Sequence, residues 1–167
     1  MKKLLMRSTL LFLLLTFSFV NAQEKMKINE TTKKYEMIYE LDFSANKSEN
    51  LFSDINEWLA MNYNLEGTGL KFSDEKKGKI IFNGAMLRKA TVGDSVISYT
   101  MTFNFNGTKV NCIITNFVIE HRNGHTQMRG RTYEYERKDL MGMKKIFKFT
   151  EAGIDNEINN LIKQINK

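Results

Sequence analysis

The sequence predicts an α+β domain: a curved, mainly antiparallel sheet with two helices on one face, in the order β-α-β-β-β-β-α. Three observations predict it. Ile97, Tyr99, Met101, Phe103 and Phe105 alternate with Ser98, Thr100, Thr102 and Asn104, the period of a half-buried strand, and the run ends at Asn106-Gly107, a strong hairpin signal. Leu51, Phe52, Ile55, Trp58 and Leu59 recur at spacings of three and four, the stripe of an amphipathic helix. Near the C-terminus Ile154, Ile158, Leu161, Ile162 and Ile165 form a second such stripe.

Taken in chain order, Lys2, Lys3 and Arg7 precede an apolar stretch from Ser8 to Val20, and Val20-Asn21-Ala22 follows with residues suited to a signal peptidase. The stretch is too short for a bilayer-spanning helix, so residues 1–22 read as a signal peptide cleaved before Gln23. The single cysteine, Cys112, lies far from that leader, which excludes a lipid anchor there. The mature chain is expected to be periplasmic or extracellular and not membrane-spanning. Of the formal charge of +6, three come from Lys2, Lys3 and Arg7, so +3 remains and composition gives no support for nucleic-acid binding.

Residues 23–33 are polar and read as a flexible leader to a single domain over 34–167. Tyr35, Met37, Tyr39, Leu41 and Phe43 then alternate with Lys34, Glu36, Glu40 and Asp42, a period of two broken only by Ile38, which reads as a strand with one wet face. Ser44 to Asn50 supplies helix-capping candidates, among them Asn46 with Glu49 three residues on, and Ser48. The stripe residue Trp58 reads as a core anchor. Gly67 and Gly69 end the helix, and strands around 70–73 and 79–87 flank the turn Asp74 to Gly78 as a hairpin. Gly84 predicts a bulge or bend inside the second of these strands.

After Asn106-Gly107, which favours a type I′ turn, the strand from Lys109 to about Glu120 holds Val110, Cys112 and Ile114 on one face and shifts phase at Asn116 and Phe117. A bulge there restores the register. Residues 121–139 are polar and Arg-rich, with Tyr133 and Tyr135 as a short edge strand, and Phe147 and Phe149 lead into the last helix.

The alternating first strand, Trp58-Leu59-Ala60, the strand start Gly78-Lys79-Ile80-Ile81, and the Tyr99 to Phe105 hairpin turning into Ile113-Ile114-Thr115-Asn116, all behind an export leader, resemble a bacterial family of exported proteins. This is domain-of-unknown-function family 4468, described as having a TATA-binding-protein-like (TBP-like) fold, and the likeness covers roughly Lys34 to Asn116. It implies that fold and no activity. The fold name does not import DNA binding, because function lives in sites and an exported domain does not meet chromosomal DNA.

Chemistry-bearing motifs are sparse. His121 and His125 flank Arg122-Asn123-Gly124, but a zinc site needs at least three protein ligands and no third histidine exists. Cys112 sits in a strand that should bury it. There is no nucleophile elbow and no phosphate loop, and the acidic residues are scattered, so no catalytic residue, metal or cofactor is indicated. Arg122, Arg129, Arg131, Arg137 and Lys138 gather positive charge that Glu134, Glu136 and Asp139 dilute.

The face of the central hairpin opposite the helices holds Ser98, Thr100, Thr102, Asn104, Asn111, Ile113 and Thr115, almost all uncharged hydrogen-bonding residues. It reads as a possible binding face for an envelope protein, peptide or glycan. The leading expectation is a non-enzymatic binding or envelope-assembly module. The alternatives are an enzyme acting on an envelope polymer and a structural subunit of a surface complex.

Overall fold

The computed structural model describes residues 25–44, 50–65, 67–89, 94–122, 133–134 and 143–166. Their elements are β1 (Lys27–Ile28), β2 (Tyr35–Asp42), α1 (Leu51–Asn62), β3 (Gly69–Asp74), β4 (Lys79–Arg88), β5 (Asp94–Asn106), β6 (Lys109–Arg122), β7 (Tyr133–Glu134) and α2 (Met143–Ile165). This is the predicted order with a two-residue strand added before the first predicted strand, and β7 falls where Tyr133 and Tyr135 suggested a short edge strand. The sheet runs β1-β2-β6-β5-β4-β3, every pairing is antiparallel, and β7 pairs β6 beyond the end of β2.

Alternation decides which way each strand faces. On β5, Ile97, Tyr99, Met101 and Phe103 are buried, while Ser98, Thr100, Thr102 and Asn104 are half-buried on the other side. The buried set joins Ile55, Trp58 and Leu59 of α1 and Ile154, Ile158 and Leu161 of α2 in one core, so both helices lie on the same face of the sheet. Asn50 caps α1, its Oδ1 accepting from the Ser53 amide at 2.9 Å; the candidates Asn46 and Ser48 lie outside the described residues.

The structure corrects four expectations. The described part of the expected leader, residues 25–33, is not loose: Met26 is buried in the core, Lys27 and Ile28 pair with β2, and α2 holds this strap through Glu151, which accepts from the Met26 amide at 2.8 Å. The apolar Met26 outweighs its polar surroundings because α2 and β2 offer it a seat. The hairpin loop is Gly107-Thr108 rather than Asn106-Gly107, since Asn106 still pairs with Lys109. Among the described non-glycine residues only Lys33 and Asn116 have positive φ, and Gly107 stands at +62°, as a type II′ turn requires of its first central residue.

Gly84 makes no bulge. The β4–β5 register runs unbroken through the Gly84–Tyr99 pair, and a Cβ at residue 84 would overlap the Tyr99 ring, so the glycine is there to let the ring lie across the strand. Finally, Phe147 and Phe149 lie within α2, which begins at Met143; Ile146, Phe147 and Thr150 extend the buried stripe by two turns ahead of Ile154.

The predicted bulge in β6 is present. Ser98 pairs with Val118 and Thr100 with Thr115, so Asn116 and Phe117 together oppose Tyr99. Asn116 has φ of 54°, a left-handed conformation that asparagine tolerates and β-branched residues resist. Its extra residue turns Phe117 and Ile119 inward after Val110, Cys112 and Ile114 have faced inward at even positions. Asn116→Gly is therefore expected to keep wild-type stability, whereas Asn116→Val loses about 1–2 kcal/mol, read from urea midpoints.

Candidate functional site

The open face of the sheet is built from rows of register partners that cross the strands. The central row is Ile38 on β2, Ile113 on β6, Thr102 on β5, Ile81 on β4 and Phe72 on β3. It is apolar apart from Thr102, and its ends are exposed, Ile38 by 56% and Phe72 by 36%. On one side runs Thr115, Thr100, Asn83 and Gly69; on the other run Glu40, Asn111, Asn104, Lys79 and Asp74.

The residues singled out from the sequence, Ser98, Thr100, Thr102, Asn104, Asn111 and Thr115, all occupy this face, and the structure divides them. Ser98 and Thr100 line a concavity of about 510 Å³ with Asn83, Val96, Asn116 and Val118, and with Lys71 and Glu120 also on its lining. Asn104 and Asn111 line a second, of about 370 Å³, together with Glu40, Asp42 and Lys109. Thr102 belongs to the apolar row that separates them.

Asn83 and Asn116 had not been associated with this face, and they complete its hydrogen-bonding centre. Asn116 Nδ2 donates to Thr100 Oγ1 at 3.4 Å, and the Thr100 hydroxyl donates to Asn83 Oδ1 at 3.3 Å. The signal for Asn83 was its alternation with Ile80 and Phe82 in β4. For Asn116 it was the bulge, which sends the amide to the open side. The face is also less neutral than β5 and β6 alone implied, since β2, β3 and β4 bring Glu40, Lys71 and Lys79 to it.

A polar cluster on the helix side has a different character. Tyr63, just beyond α1, and Tyr99 both donate to Glu157 Oε2 of α2, at 2.7 and 2.6 Å. Burial pushes the Glu157 carboxyl above its ordinary range although both phenols favour its charged form, and burial together with the carboxylate raises both phenols. The cluster ties α1, β5 and α2 together beneath the sheet. Tyr39 and Lys25 similarly meet Asp155, at 2.7 and 2.8 Å.

Cys112 is fully buried between strand neighbours, and burial raises its thiol, so it remains an uncharged core residue. Trp58 is 6% exposed and packs edge-on against Tyr63. The backbones of His121 and Arg122 end β6; their side chains, and His125, Arg129, Arg131, Arg137 and Lys138 entirely, lie outside the described residues. Among the described residues no three His, Cys, Asp or Glu side chains come together to hold a metal, and no helix is long and apolar enough to cross a membrane.

Comparison with known proteins gives a family and a fold. The profile of the family described as "Domain of unknown function (DUF4468) with TBP-like fold" matches residues 35–120. A TBP-like protein from Parabacteroides distasonis ATCC 8503 superposes with a TM-score of 0.62 at 14% identity, over 85% of this chain and 99% of that one. A DUF4468 family protein from Bacteroides ovatus ATCC 8483 superposes with a TM-score of 0.60 at 13% identity, over 84% of this chain and 91% of that one. No curated protein sequence matches.

The raised Glu157 sets a pH dependence. A carboxyl whose folded value lies above its unfolded one contributes stability below the unfolded value and loses it as pH rises through the folded value. Stability is thus expected to fall as pH climbs above about 4.5, the ordinary value for this group, and Glu157→Gln should flatten that slope in urea titrations at successive pH values.

Proposed function

From the premise that this chain belongs to the DUF4468 family with a TBP-like fold, we propose that it is a non-enzymatic binding module that works outside the cytoplasm after removal of residues 1–22. The sheet face opposite the helices is its binding surface. The partner is an envelope protein, peptide or glycan.

The observation that carries this reading is the order of the open face. An apolar row with exposed ends runs between two polar rows, an arrangement in which desolvation supplies affinity and flanking amides and hydroxyls supply direction. The centre is held from behind: Tyr99, under Thr100 and Asn83, is fixed by Glu157 and by the close fit over Gly84. A site on strands locked by such packing is preorganised. Charges of both signs on the face, Glu40 and Glu120 against Lys71, Lys79 and Lys109, speak against a polyanion, whose recognition relies on a basic surface.

The test is recovery of partners from envelope extract with the protein carrying Thr100→Lys, Thr102→Lys and Asn104→Lys together. These side chains are half-buried on the open side, so the fold should persist by circular dichroism while partner recovery drops at least ten-fold. Unchanged recovery would remove this face from consideration. Intact mass of the native protein checks the processing, with a chain starting at Gln23 expected.

A further inference from the structure

Resting on the reading of the open face as the binding surface, we propose that its larger concavity takes a short free oligopeptide of four or five residues in extended conformation. The amino end lies at Glu120 and the carboxylate end at Lys71. Three features of the lining select this ligand class.

The first is the hydrogen-bonding chain through Thr100. With Asn116 Nδ2 given to Thr100 and Asn83 Oδ1 accepting from it, the other half of each amide, Asn83 Nδ2 and Asn116 Oδ1, has no partner within the described protein. One side of the concavity therefore offers donors and the other an acceptor. An extended peptide presents a carbonyl and an N–H with the same alternation, and it satisfies both.

The second feature is the floor. Ala85, Val96 and Val118 are small and apolar, and the one aromatic residue of the lining, Tyr99, is 2% exposed with its side chain turned to the core. A sugar ring would find no flat aromatic surface for its apolar face. Small aliphatic side chains of a peptide would find a matching bed.

The third is charge. Lys71 and Glu120 are the charged residues of the lining, opposite in sign and at opposite corners. Glu120 pairs with Val96, which pairs with Leu87, while Lys71 stands at the irregularity between the partners of Phe82 and Ile81. The corners are thus three strands apart and about five residues apart along β4, roughly 14 Å by 17 Å at ordinary strand spacing and rise. The diagonal of roughly 22 Å, shortened by two side chains reaching inward, matches four or five extended residues at about 3.4 Å each. A peptide with both ends free carries its two charges at that separation.

The experiment titrates the ¹⁵N-labelled protein with tetra-alanine bearing free termini, with its N-acetylated, its C-amidated and its doubly capped forms, and with maltotetraose. Free tetra-alanine is expected to shift the amides of Ser98, Thr100, Asn116 and Val118, and capping either end should weaken binding at least five-fold. Glu120→Gln should abolish the sensitivity to acetylation and Lys71→Gln the sensitivity to amidation; both side chains are exposed, so neither change threatens the fold.

Equal binding of the doubly capped peptide, comparable binding of maltotetraose, or unchanged discrimination in the two variants would overturn the proposal. Absence of shifts in the concavity, with partner recovery still lost in the triple lysine variant, would overturn the peptide and leave the binding face standing. Unchanged recovery in that variant would overturn both.

Discussion

One extra residue in β6 sets the geometry on which both faces of this sheet depend. Strand side chains alternate with a period of two, so without the insertion at Asn116 the residues beyond it would point the wrong way. Phe117 and Ile119 would then project from the open face and Val118 and Glu120 into the core. The bulge restores an apolar underside from Val110 to Ile119, which is what lets α2 lie against strands on both sides of β6. The same residue turns an amide into the concavity. Core continuity and the polar centre of the open face thus arise from a single backbone irregularity, made possible by the left-handed conformation that asparagine accepts.

Opposite the bulge stands Tyr99, and several constraints converge on it. Its ring lies over Gly84 on one strand, approaches Phe117 on the other with centroids 6.2 Å apart, and its hydroxyl meets Glu157 from α2. Tyr63 joins the same carboxylate from the end of α1 and packs on Phe82, centroids 4.9 Å apart. A carboxylate shielded from water costs free energy, and here two phenols offset part of that cost. The arrangement fixes the relative placement of two helices and the central strand more definitely than apolar packing alone, which tolerates sliding.

The open face differs from that underside in having its polar groups arranged laterally, strand to strand. Edge management accompanies it: β3 carries an irregularity at Lys71, and Lys77 from the turn that follows β3 lies over the ring of Phe72, features that discourage pairing with another chain at that border. Ile38 and Phe72 keep exposed surface at the two ends of the central row, where a ligand would settle across the strands.

Much of this was determined by the sequence itself. Alternation in β5 and, broken only by Ile38, in β2, together with the stripes of α1 and α2, specified the elements and their inward faces, because burial enforces a period that local residues must obey; even the bulge was visible as a break in phase at Asn116 and Phe117. The resemblance to the DUF4468 family named the fold. What only the tertiary structure decided is lateral: which strand lies beside which, and therefore that Ile38, Ile113, Thr102, Ile81 and Phe72 form one row and that Asn83 and Asn116 flank Thr100. Strand pairing joins residues distant in the chain through backbone hydrogen bonds that are the same for every side chain, so periodicity along one strand carries no record of its neighbour. The docking of Met26 and the reach of Tyr63 and Tyr99 to Glu157 were hidden for the same reason, since each is a contact between segments far apart in sequence whose partner exists only once the sheet and helices have closed.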